Sequence, residues 1–191
     1  FGVSQANTLN ITNTQFEGAA RFLLGSGGSV SVIENSQFQR TFQFFADQGD
    51  DAVTMDQIRV DRNATIRLGT SSRAKIRKEG GTDDDRLLIE TRDQPNGSTF
   101  GGNVKIDTGV DSDTVQLGSG PVFFNNLAFA RWVRLDGGQG TTQQVLSGAP
   151  TGPIDQAHDD LSDGLFTAYG QRANGSILVS CRDFESSTIA C

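Results

Sequence analysis

The 191-residue chain reads as an all-β solenoid, a stack of short parallel strands wound around one continuous core. Three observations lead there. A six-residue phrase of the form apolar-x-Asn-x-x-Phe occurs as "ITNTQF" at 11–16 and as "IENSQF" at 33–38, an interval of 22 residues. Behind each copy the apolar residues alternate, which sends one strand face inward. The composition, with 23 Gly, 4 Pro and many Ser and Thr, suits short strands joined by tight turns. A unit of this size is too short for two helices and cannot bury its own apolar side, whereas stacked units can.

Taken in order, the first repeat is "ITNTQF" followed by Ala20 and Phe22, and the second is "IENSQF" followed by Phe42 and Phe44. The third is the more polar "MDQIRV" at 55–60 with Ala64 and Ile66. The Asn position predicts a left-handed turn residue, so Asn13 and Asn35 should stack, with Gln57 next in register. Phe should stack on Phe at the spacing of neighbouring strands. Two weaker coils follow, "AKI" (74–76) with "RLLIE" (86–90), and "NVKID" (103–107) with "TVQLG" (114–118). Between them "TRDQPNGSTFGG" reads as a loop bulging from a turn. The phrase returns as "FNNLAF" at 124–129, ahead of Val133 and Leu135, and as "VSCRDF" at 179–184 with Cys in the Asn slot.

On these motifs the chain resembles the right-handed parallel β-helix superfamily, the pectate-lyase-like folds that also include phage tail-spikes and surface adhesins. The resemblance covers about two-thirds of the chain and implies a right-handed parallel β-helix of about seven coils. The expected organisation is 1–146 as coils, 147–175 as an irregular loop excursion, and 176–191 as a further coil or a cap. The motif is structural for the superfamily and does not select a member.

A formal net charge of −7 and a pI of about 4.6 argue against nucleic acid and against an anionic membrane surface. No run approaches the roughly 18 apolar residues of a membrane span. The chain opens on Phe1, which suggests a processed product or a piece of something longer. Asn10, Asn63, Asn96 and Asn174 each head an N-glycosylation triplet and favour an extracellular or surface location. Cys181 and Cys191 are either a disulfide or two unrelated thiols.

Acidic pairs and clusters occur at Asp50 and Asp51, Asp83 to Asp85, Asp111 and Asp113, and Asp159 and Asp160. All sit at expected turns, where solvated Asp is ordinary, and none forms a catalytic pair. If "RLLIE" stacks on "TVQLG", Asp85 falls beside Asp113 and Asp83 beside Asp111. Carboxylates so placed suit calcium, an oxygen-seeking cation; a flanking ladder from Arg62 and Arg131 would neutralise them as well. His158 reads as a loop residue, Lys75, Arg77 and Lys78 as a basic turn, and Trp132 as an outward ring able to stack on a sugar or on another chain.

The functional expectation is an extracellular structural or adhesive β-helix that assembles with copies of itself or belongs to a longer parent chain. Polysaccharide is the expected ligand if there is one, and no catalytic residue is assigned. Two alternatives stand beside it: a β-helical polysaccharide lyase or glycoside hydrolase, and a trimeric phage tail-spike or fibre module.

Overall fold

The computed structural model describes residues 6–69, 84–92, 97–109, 113–118, 127–131, 133–136, 145–148, 154–158, 165–166, 181–182 and 186–187. Every regular element among them is a β-strand, and every strand pairing is parallel.

The first repeat holds β1 (Thr8–Thr12), β2 (Gln15–Phe16) and β3 (Ala20–Leu23). The second holds β4 (Val30–Phe38) and β5 (Phe42–Phe45), and the third β6 (Ala52–Val60) and β7 (Ala64–Arg67). Then come β8 (Arg86–Ile89), β9 (Thr99–Phe100) and β10 (Val104–Asp107), followed by β11 (Thr114–Leu117), β12 (Ala128–Phe129) and β13 (Val133–Asp136). The last are β14 (Val145–Gly148), β15 (Ile154–His158), β16 (Leu165–Phe166), β17 (Cys181–Arg182) and β18 (Ser186–Ser187). One sheet runs β1-β4-β6-β8-β11-β14-β16-β18, with β2 on β4, β9 on β6 and β12 on β9. The other runs β3-β5-β7-β10-β13-β15-β17. The chain therefore visits the two sheets in turn, and each strand pairs with the equivalent strand one repeat later.

Register makes this a core. Ile11 lies beside Ile33, Ile33 beside Met55 and Met55 beside Ile89. Phe16, Phe38, Val60, Phe100 and Phe129 form a second column. Ala20, Phe42, Ala64, Val104 and Val133 form a third, in which Phe42 is flanked by the small Ala20 and Ala64. Phe16 and Phe38 stack with centroids 4.9 Å apart and planes 7° apart, and Phe38 meets Phe42 at 4.6 Å. The expected Phe-on-Phe stack is present and is interrupted by Val60. Ser31 is the polar exception: it sits between Leu9 and Val53, 1% exposed, and its Oγ has no hydrogen-bond partner.

The left-handed turn positions fall where the repeat places them. Asn13, Asn35 and Gln57 have φ of 52°, 45° and 52°. Asn35 Nδ2 donates to Asn13 Oδ1 at 2.5 Å, so the side chains bond along the stack. This bend lets β4 and β6 run through it and present residues 36–38 and 58–60 at a new angle. A second close approach depends on glycine. A Cβ on Gly102 would stand 2.4 Å from the Arg62 carbonyl carbon and 2.5 Å from the Asn63 nitrogen, so the next repeat can cross this turn only without a side chain.

Of 147–175, expected as an irregular excursion, the described residues are strand: the end of β14 (Val145–Gly148), Ile154–His158 and Leu165–Phe166 extend the two sheets. His158 accordingly lies in β15 and not in a loop. Residues 74–76 and Trp132 lie outside the described residues.

Two stability outcomes follow. Ser31→Ala should raise the unfolding free energy by about 1 kcal/mol, because it removes a buried hydroxyl with nothing to bond. Phe38→Ala should lower it by about 3–5 kcal/mol through lost burial and a cavity. Urea denaturation of both variants checks the pair; destabilisation by Ser31→Ala would mean that the hydroxyl is bonded.

Candidate functional site: a polar groove beside the turn ladder

Two sets of polar side chains follow from the register, one sealed inside the turns and one facing outward. The sealed set immediately precedes β4, β6, β8 and β11 of the larger sheet. The Ser29 N–H donates to Asp51 Oδ1 at 2.7 Å, the Asp51 N–H to Asp85 Oδ1 at 2.9 Å, and the Asp85 N–H to Asp113 Oδ1 at 2.9 Å. Each carboxyl thus satisfies a backbone donor of the preceding repeat at a point where the sheet ladder has not begun. The expected adjacency of Asp85 and Asp113 is present. The expectation of solvated turn carboxylates is not met: Asp51, Asp85 and Asp113 are 1%, 2% and 2% exposed. Asp50 and Asp84, one residue earlier, face solvent or its margin, and the Asp84 N–H donates to Asp50 Oδ1 at 3.2 Å.

The repeat preceding Asp85 contributes Asp51 to this turn. Arg62 lies on a different turn, between β6 and β7, and does not flank it. Of the four residues expected to hold calcium, Asp83 and Asp111 lie outside the described residues. Among the described residues no group of three or more His, Cys, Asp or Glu is arranged to hold a metal. Lys75, Arg77, Lys78, Asp159, Asp160, Asn96, Asn174 and Cys191 also lie outside them, and Cys181 begins β17. Asn10 is exposed on β1; Asn63 is exposed on its turn, with Oδ1 accepting the Asn103 N–H at 3.0 Å.

A second buried pair sits where the Asn ladder ends. Glu90, with φ of 51°, is the left-handed residue of its repeat, one position earlier in register than Gln57. Its Oε2 accepts the Gln57 N–H at 2.8 Å and the Ser98 hydroxyl at 2.6 Å. Asp56 Oδ1 accepts the Thr91 N–H at 3.0 Å, and Arg92 spans Glu34 at 2.6 Å and Asp56 at 3.3 Å. The segment after Glu90 is therefore tied to two earlier repeats. Burial pushes the Asp56 carboxyl above the usual range, against the pull of the Arg92 guanidinium and of the Thr91 and Arg92 N–H groups. Burial likewise pushes Glu90 up, against the bonds from Ser98 and Gln57.

The outward set forms a groove. Past the bend, Gln15, Gln37 and Arg59 stand in register on β2, β4 and β6 with their side chains away from the core. With Asn13, Asn35 and Gln57 they line an open depression of about 370 Å³. A second depression of about 530 Å³ shares Arg59 with it and adds Gln39, Arg40, Asp61 and Arg62. Arg59 Nε donates to Asp61 Oδ1 at 2.6 Å, and Gln37 Nε2 lies 3.4 Å from Asp61 Oδ2. The Arg59 hydrogen bond holds the Asp61 carboxyl below its ordinary range. The groove thus offers amides, hydroxyls and fixed cations.

Sequence reading did not single out Arg40 or Arg59, and it assigned Arg62 to a ladder beside the Asp cluster rather than to this groove. The signal was present as the fifth letter of the repeated phrase, which runs Gln, Gln, Arg through the first three copies.

No protein-family model matches this chain, no curated protein matches its sequence, and no solved structure matches its fold.

The raised carboxyls set a pH dependence whose sign is fixed. A carboxyl with a folded pKa above its unfolded one contributes stability that is complete below the unfolded pKa and is lost as pH rises through the folded pKa. Ionised Asp56 and Glu90 therefore weaken the fold at neutral pH. Glu90→Gln should be the more stable protein at neutral pH, and the gain should vanish in acid. Denaturation midpoints across that range check it, and a gain that persists unchanged into acid would contradict it.

Proposed function

We propose that the chain is an extracellular, surface-exposed right-handed parallel β-helix that acts as an adhesive or structural module and is not a catalyst. Three features favour a solenoid of the pectate-lyase-like kind: the chain alternates between two parallel sheets, each strand pairs one repeat on, and an Asn ladder marks the turn. Right-handedness follows from the strong general preference of parallel crossover connections.

The observation that carries the non-catalytic reading is where the acids lie. Asp56 and Glu90, whose carboxyls are raised toward the range a general acid needs, are each 2% exposed and bonded to backbone. The outward groove holds Asp61, which Arg59 keeps ionised and poorly basic. Substrate can reach the second and not the first. A surface of amides and guanidinium groups suits binding to hydroxylated polymers.

Self-association is the second part of the proposal. β1 and β3 are terminal strands of their sheets, and the inward Leu9, Phe16, Phe22 and Leu24 are only partly buried, unlike their equivalents one repeat on. An end of this kind invites another coil, from a second copy or from a longer parent chain.

Incubation with a panel of neutral and acidic polysaccharides should release no new reducing or unsaturated ends. Sedimentation should show concentration-dependent association that Leu9→Lys abolishes. Turnover of any polysaccharide would overturn the non-catalytic reading, and association untouched by Leu9→Lys would remove the end-to-end one.

A further inference from the structure

We propose that the groove across β2, β4 and β6 binds a linear sulfated polysaccharide lying along the stack, with Arg40, Arg59 and Arg62 taking its sulfate groups. The proposal deepens the adhesive reading and rests on it.

Charge is the first argument. The residues lining the two joined depressions include three arginines and one carboxylate, Asp61, on a chain whose formal net charge is −7. Arg40 and Arg62 each follow by two residues the paired Phe38 and Val60, so they occupy the same turn position one repeat apart. Like charges on neighbouring repeats repel unless an anion lies between them. Asp61 bonds directly to Arg59 and reaches Arg62 only through its longer-range field.

Periodicity is the second. Gln15, Gln37 and Arg59 recur once per repeat, at the roughly 4.8 Å interval of paired strands. That interval is comparable with one pyranose unit of an extended glycan, so successive sugars meet equivalent donors. The lining contains no aromatic residue on which a nucleotide base would stack, and no apolar pocket for a peptide side chain. Amides that both donate and accept are matched to sugar hydroxyls.

The cation type is the third. All the cations lining the groove are arginines. A guanidinium is a planar, weakly hydrated donor fork, and a sulfate ester is a weakly hydrated oxyanion, so little hydration is lost when they pair. A carboxylate holds its water more tightly.

Titration calorimetry of the full chain at physiological salt, with heparin and with fully desulfated, N-acetylated heparin, tests this. Both probes keep the uronate carboxylates, and only the first carries sulfate. Heparin should bind at least about tenfold tighter than its desulfated form. The Arg59→Gln, Arg62→Gln double variant should lose about tenfold or more of that affinity, and Arg40→Gln, at an exposed side chain, should weaken it in the same direction. The Arg21→Gln, Lys105→Gln variant removes the same charge from the outer face of the other sheet and should change affinity by less than about twofold. Equal losses from the two double variants would reduce the effect to bulk charge and overturn the site. Equal affinity for the desulfated chain, or no heparin binding by protein with an unaltered melting midpoint, would overturn the ligand. Neither result touches the association and turnover tests of the adhesive reading.

Discussion

One constraint governs the molecule: each residue must lie beside its equivalent one repeat later. In the first three repeats that offset is 22 residues, as the Ser29–Asp51 and Asn13–Asn35 bonds record. Beyond them it stretches to 34 between Asp51 and Asp85 and contracts to 28 between Asp85 and Asp113. The added length is taken up outside the strands, and the columns continue. Parallel sheets demand this, because a slip of one residue would turn every core side chain to the opposite face. The energy lies in those columns, where Phe38, Phe42, Ile33 and Met55 are wholly buried.

Register also explains why polar groups are buried at such regular places. A parallel strand entering its sheet leaves a backbone N–H with no ladder partner, and a carboxyl at the same position of the next repeat supplies one. Ser29, Asp51, Asp85 and Asp113 form that series, while Asn13, Asn35 and Gln57 hold the bend within the repeat. Where the bend series passes to Glu90, the acid bonds back to Gln57 and Arg92 bonds back to Glu34 and Asp56, so a longer connection remains anchored. The same columns that seal these groups inward place Gln15, Gln37 and Arg59 outward.

Much of the fold was legible because its determinants are local and repeated. The phrase beginning at Ile11 and at Ile33 carries both the inward residues and the left-handed Asn, so the stacking of Asn13 on Asn35 and the place of Gln57 could be read directly. The pairing of Asp85 with Asp113 was legible for the same reason. The burial of those carboxyls was not, because it depends on which side of a turn the next repeat covers, and an Asp beside a Gly-rich turn looks the same solvated or sealed. Glu90 was missed as a bend residue since Glu rarely adopts that conformation; here two hydrogen bonds to its side chain offset the strain. Arg40 and Arg59 were missed and Arg62 was assigned elsewhere, because each reads alone as an ordinary surface charge, and only the register sets Arg40 beside Arg62.

The functional reading inherits this structure. Asp56 and Glu90 are shut inside, and the amides and guanidinium groups of Gln15, Gln37 and Arg59 are repeated on the surface. All of it depends on the register surviving the long offset between the third and fourth repeats. The most direct test is cross-linking across that step. Thr54 and Leu88 are register partners on the outer face of β6 and β8, and paired strands bring Cα atoms to about 4.8 Å, within disulfide reach. The Thr54→Cys, Leu88→Cys variant should oxidise to a bond between positions 54 and 88, identified by peptide mass mapping, without loss of stability. A bond that forms instead when Thr54→Cys is combined with Arg86→Cys, and not with Leu88→Cys, would contradict the register on which the account rests.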